Sequence, residues 1–147
     1  MNTKIQSLLR TDSSNWAPLA PRLVVGLVMS AHGAQKLFGW LGGYGLEGTA
    51  GFFGEKLGLN PGIFWAALAG SGEFFGGLLL ILGLATRLGA LSVAITMAVA
   101  ILTVHRTAFF APAGMEFPLT LLAASLALLI AGGGAASADA CLTKTKS

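Results

Sequence analysis

Between Pro61 and Gly83 the chain is almost wholly apolar and carries one charge, Glu73, close to the middle of the run. A stretch of this length reads as a helix that crosses a bilayer. An ionisable group at its centre is costly, faces the interior of a helical bundle, and needs a partner there. The segment therefore demands other helices around it, at least one of them carrying a basic or hydrogen-bonding group. Such groups exist: His32 and Lys36 lie on the preceding apolar segment, and His105 ends a later one.

Four apolar segments are expected to form helices, at about 17–40, 62–83, 88–104 and 118–132, each near the ~20 residues that span the hydrocarbon. The last two are short, which predicts tilt or local thinning. Asn60 followed by Pro61 reads as a cap with proline in the first turn, and Pro118 as the opening of the fourth helix. The tight turn 83–87 makes the second and third helices antiparallel neighbours. The chain thus reads as all-α, a single four-helix transmembrane domain over residues 1–147. Composition agrees. The chain is 54% hydrophobic and only 10% charged, with mean hydropathy +0.77, far from the roughly 25% charged share of soluble domains. Its 21 glycines suit closely packed membrane helices.

Four crossings put both termini and the 83–87 turn on one side, with Lys4, Arg10, Arg22, Arg87, Lys144 and Lys146. The other side carries Lys36, Lys56 and Arg106 among Glu47, Glu55 and Glu116. The excess of cations predicts cytoplasmic termini. No cleavable signal is apparent, so the first apolar run is read as retained. Cys141 is alone, which excludes an internal disulfide or a CxxC pair, and reads as a tail residue. No basic run interleaved with aromatics points to nucleic acid.

The first loop, 38–60, is long and glycine-rich. Phe52, Phe53 and Leu57, set against Glu55 and Lys56, predict a short amphipathic helix on the outer interface or over the bundle mouth, with a plain loop as the alternative. The match of Gly43, Gly45 and Gly48 to GxGxxG follows a membrane helix and not a strand, so it carries no dinucleotide reading.

His32 and Lys36 are four apart and share a helix face, with Gln35 beside them. Gly26, Ser30 and Ala34 form a small-residue stripe on the same helix. His32 lies roughly 12 Å inside Trp40 and Glu73 roughly 18 Å from Pro61, by helix rise. Ala69, Gly70, Gly76 and Gly77 surround Glu73 with small residues, so Glu73 is expected to meet another helix. Carboxylate, imidazole and ammonium groups in such a setting can pass protons or hold the oxygens of a quinone head group. Glu73 and His32 are the candidate catalytic groups. Lys36, His105, Gln35 and Phe74 are the candidate ligand-binding residues, with aromatic neighbours available to clamp a flat ring. Two histidines and a carboxylate also suit a metal, but no HxxxH or HxxE spacing supports one, and no metal is assigned. A purely structural Glu73 ion pair is the competing reading.

The residues from Arg22 to Gly26, the HG-x-x-K motif over 32–36, and the E-x-x-G-G-x-x-L-x-x-G-x-x-T-R motif over 73–87 resemble the DoxX family of small bacterial membrane proteins. The resemblance runs from about residue 18 to Asp139. It implies a multi-pass four-helix bundle in the bacterial inner membrane. It also implies a link to quinone-dependent sulfur oxidation, thiol homeostasis or oxidative-stress defence. The expected function is a quinone-interacting oxidoreductase subunit working with a soluble or membrane redox partner, with the lipid bilayer and further copies of itself as other partners. A non-catalytic anchor for a soluble redox enzyme is the alternative. A small-solute carrier is a third reading, and it would need an oligomer.

Overall fold

The computed structural model describes residues 9–144. Lys4 and Lys146, used above for orientation, lie outside the described residues. Every regular element among the described residues is helical: α1 (Leu19–Phe38), α2 (Gly45–Gly51), α3 (Gly62–Leu82), α4 (Thr86–Thr103), α5 (Glu116–Ala131) and α6 (Ala138–Lys144). A 3₁₀ turn at Trp40–Gly42 precedes α2, and a π-helical turn at Phe52–Lys56 continues it.

The long helices fall near the expected positions, and the departures have local causes. α1 ends at Phe38, two residues early, because Gly39 takes a left-handed φ of 71° and stops it. Pro61 itself occupies the position before α3, and no side chain caps that helix, so Asn60 is not the expected cap. α5 begins at Glu116, not Pro118. Proline fits within that first turn because no backbone donor is needed there.

α3 is the central helix. It packs most extensively on α1 and also against α4, α4 packs on α5, and α5 touches α1 to close the circuit. Glycines make both of α3's main contacts close. Toward α1, a Cβ on Gly77 would come within 2.6 Å of the Gly26 carbonyl oxygen. Toward α4, a Cβ on Gly89 would meet the Gly76 carbonyl oxygen at 2.9 Å. The small residues expected on α1, Gly26, Ser30 and Ala34, are all buried, and Gly33 joins them with its backbone on Phe74. The core between the helices holds Met29, Leu80, Val93 and Leu128, all buried.

The outward faces are apolar on all four long helices, with Leu27, Leu68, Leu102 and Ile130 exposed. A protein bathed in water does not present so much contiguous apolar surface. Among the described residues, α3 and α4 are the two helices long and apolar enough, by length and composition, to cross a membrane. α5 is apolar but has 16 residues, and α1 carries Arg22, His32, Gln35 and Lys36 within its 20.

The end bearing the 83–87 turn is tied together by polar groups whose roles the sequence did not disclose. Asp139, in α6, accepts the Ala85 N–H at 2.7 Å and the Thr86 N–H at 2.9 Å. It thereby caps the N-terminus of α4 from across the fold, where a carboxylate also meets the positive end of the helix dipole. Those bonds hold Ala85 in a left-handed conformation (φ 44°) that a non-glycine residue seldom adopts. Arg22 is not a surface anchor: it is 2% exposed and donates to the carbonyls of Gly133 at 2.6 Å and Ala136 at 2.5 Å. Arg87 donates to the Leu129 carbonyl. Cys141 sits on the exposed side of α6, within a helix and not in a loose tail.

Candidate functional site

At the opposite end of the helices, the sequence places two groups that have to find each other. Lys36 is in the last turn of α1, where a cation suits the helix dipole. Glu73 lies midway along α3, on the face lined by Gly70 and Gly77. Because those glycines let α1 and α3 approach closely, the Lys36 ammonium reaches the Glu73 carboxylate, Nζ to Oε2 at 2.5 Å. The side chains are 27% and 4% exposed respectively. The carboxylate is therefore enclosed, and the ammonium is the half of the pair that meets the space beside it.

That space is a cavity of about 750 Å³, within the roughly 300–1,000 Å³ range of small-molecule sites. The segment after α1 covers it. Gly43 lies against the backbone of Gln35, and Gln35 Nε2 donates to the Leu41 carbonyl at 3.2 Å. Thr49 is buried, donates to the Gly45 carbonyl at 2.7 Å, and sits 3.4 Å from the Lys36 carbonyl. Phe52, Phe53 and Leu57 supply apolar wall, and Thr96, Val99, Ala100 and Thr103 of α4 close the other side. The amphipathic segment expected in this loop is thus a helix folded over the end of the bundle, beginning at Gly45. Its π-helical turn belongs to a class of distortion that recurs at functional sites.

The candidate residues divide. Glu73, Lys36, Gln35 and His105 all line this one cavity. His105 follows α4, and its Nδ1 lies 3.0 Å from the Ala113 carbonyl. A carbonyl only accepts, so Nδ1 carries the proton and the Nε2 of a neutral ring is left as an acceptor. His105 also borders a second cavity of about 520 Å³ beside Glu116 and Phe117. His32 is elsewhere: although it shares a face with Lys36, its ring packs 6.0 Å from Phe117 of α5 and is not among the residues lining the Glu73 cavity. Phe74 is also turned away, its ring edge-on to Phe38 at 5.2 Å and its carbonyl beside the Ser30 hydroxyl. Among the described residues no three His, Cys, Asp or Glu side chains gather at metal-binding spacing.

Thr49, Thr96 and Thr103 were not anticipated. The α4 pair did leave a signal, since Thr96, Ala100 and Thr103 repeat at four and three residues on the otherwise apolar second half of that helix. Thr96 donates to Ser92 O at 3.0 Å and Thr103 to Val99 O at 2.7 Å. Each hydroxyl's proton is thereby used, leaving an oxygen that can accept from a ligand.

Apolar helices around an enclosed ammonium–carboxylate pair, with a ligand-sized space beside it, define a helical membrane protein with an internal polar site. The chain belongs to the DoxX family of membrane proteins, whose family model matches residues 17–106. The matched span runs from α1 to just past α4 and so contains Lys36, Glu73 and His105, while α5 and α6 lie beyond it. The chain is also 34% identical over 125 residues to a Bacillus subtilis (strain 168) protein named "Putative oxidoreductase CatD", covering 85% of this chain and 86% of that one. No solved structure matches the chain.

Proposed function

We propose that this protein is a quinone-reducing subunit of a sulfur- or thiol-oxidising system, with the Lys36–Glu73 pair as its head-group and proton site. The observation that carries the reading is that pair, enclosed and facing a 750 Å³ cavity of mainly apolar wall. A quinone carbonyl is an acceptor, and Lys36 offers N–H donors where the ammonium meets the cavity. Glu73 holds or yields a proton beside it, and a positioned acid–base group of this kind is worth roughly 10²–10⁴ in rate. The overall balance is closed: two thiols oxidised to a disulfide release two electrons and two protons, and a quinone taking up both becomes a quinol. Cys141 is the one cysteine of the chain, so the thiols belong to a substrate or a redox partner. The relative's name as an oxidoreductase supports the same class of activity.

In this reading α1, α3, α4 and α5 all cross the bacterial inner membrane, with both termini cytoplasmic. The exposed apolar faces on all four support this, as does the sequence's count of six Lys and Arg on the side of the termini and the 83–87 turn against three on the other. Thiol-dependent quinone reduction by membranes of expressing cells is expected to fall about a hundredfold with Glu73→Gln, at the lower end of what an acid–base group contributes. An unchanged rate in that variant would leave the chain as an anchor for a partner that does the chemistry.

A further inference from the structure

The exposed apolar stripe of α4 consists of Leu91, Ile95, Val99 and Leu102, spaced four, four and three residues apart. Val99 belongs both to this stripe, at 48% exposure, and to the wall of the cavity that holds Lys36 and Glu73. Two more wall residues behave in the same way. Val104, just past α4, is 39% exposed, and Phe52, at the start of the π-helical turn, is 44% exposed. Along this edge the cavity wall is continuous with the helix surface that faces lipid. The polar wall residues Glu55 and Lys56 lie on the same turn and are exposed. A ligand here thus meets both apolar wall and charged groups.

We infer that the cavity is loaded sideways from the lipid phase, through an opening between α4 and the Phe52–Lys56 turn that is edged by Val99, Val104 and Phe52. The occupant is an amphiphile whose oxygen-bearing head reaches Lys36 and Glu73 while its long apolar chain stays at the opening and beyond it, in lipid. This inference rests on the quinone reading above and adds to it the route of entry and the need for a chain. The physical ground is the cost of the alternatives. Drawing a long chain wholly into the cavity would exceed its space, whereas leaving the chain in lipid sacrifices no apolar burial. A head entering from lipid also exchanges its weak hydrogen bonding there for the ammonium donors of Lys36.

The test compares two quinones on the full chain in lipid nanodiscs, following quenching of tryptophan fluorescence. One probe is an isoprenoid benzoquinone, and the other is the same ring without a chain. Val99→Phe narrows the apolar edge at a half-exposed residue outside the buried core cluster, so folding is retained; Val104→Phe is a second, independent variant. Association of the isoprenoid quinone is expected to slow about tenfold in both, within the one to three decades over which association rates vary among variants of one site. The chainless ring, free to enter past Glu55 and Lys56, keeps its rate. Equal slowing of both probes, or no slowing of either, overturns lateral entry and leaves the quinone reading standing. Failure of the unaltered protein to bind either probe overturns both.

Discussion

Lys36→Met destabilises the protein by about 3 kcal/mol, at the lower end of the cost of breaking a buried ion pair from one side. Glu73→Gln costs only about 1 kcal/mol, the scale of one net hydrogen bond. The asymmetry follows from exposure. Without Lys36 the carboxylate is left 4% exposed and stripped of its ion-pair partner, and an uncompensated charge in low dielectric is the expensive case. Without the carboxylate charge, Lys36 at 27% exposure loosens from its fixed position and hydrates, with the glutamine oxygen as a weaker acceptor. The double variant Lys36→Met/Glu73→Gln then loses less than the two single variants together, with a coupling of about 2 kcal/mol, inside the range for contacting pairs. Unfolding in detergent followed by circular dichroism reads all four proteins. Strict additivity would mean that the pair contributes no coupling and that Glu73 is held by something else.

Gly33→Ala is the second large effect, at about 3 kcal/mol, the upper end of what overpacking costs. Its added Cβ would lie 2.6 Å from Phe74 Cα and 2.7 Å from Phe74 Cβ, and a backbone atom in a packed helix has no room to yield. The residue is one turn before Lys36, and Phe74 adjoins Glu73, so the separation that relieves the clash also pulls the ion pair apart. On the proposed function, quinone binding is expected to be lost together with stability. Gly51→Ala is the control. A Cβ there meets nothing within 4 Å, and the backbone is already right-handed helical at φ −58° and ψ −48°. That variant is neutral or gains up to about 1 kcal/mol of helix propensity. Thermal unfolding of the two alanine variants side by side checks the contrast. Equal midpoints would mean that the α1–α3 approach is looser than described.

What could be read from the sequence followed from signals that act over a few residues. The apolar runs set α3 and α4 to within two residues at each end, because proline, glycine and hydropathy mark those boundaries directly. The demand of Glu73 for a partner was also legible, and Lys36 was one of the three groups available to it. The choice among the three was not legible. His32 and Lys36 share a face of α1, yet only contact order around the bundle determines which of them meets α3. With α5 touching α1, the His32 ring meets Phe117. Asp139 shows the same limit more sharply. Its bonds to Ala85 and Thr86 span more than fifty positions, and no periodicity encodes them. Arg22 read as a charge for the membrane surface because its partners are backbone carbonyls of Gly133 and Ala136, which carry no side-chain signature. Phe74 was expected to flank a ligand from its place beside Glu73, but neighbours on a helix point about 100° apart, and the turn that brings Glu73 inward sends Phe74 toward Phe38.

The most direct test of the central claim is native mass spectrometry of the protein released from mild detergent, with Glu73→Gln measured beside it. An adduct of isoprenoid-quinone mass is expected on the unaltered protein. That adduct is expected to be lost in the variant while the helical circular dichroism of both stays equal. An adduct retained by Glu73→Gln, or a bare chain in both samples after incubation with quinone, would contradict a ligand role for the pair and reduce it to a lock between α1 and α3.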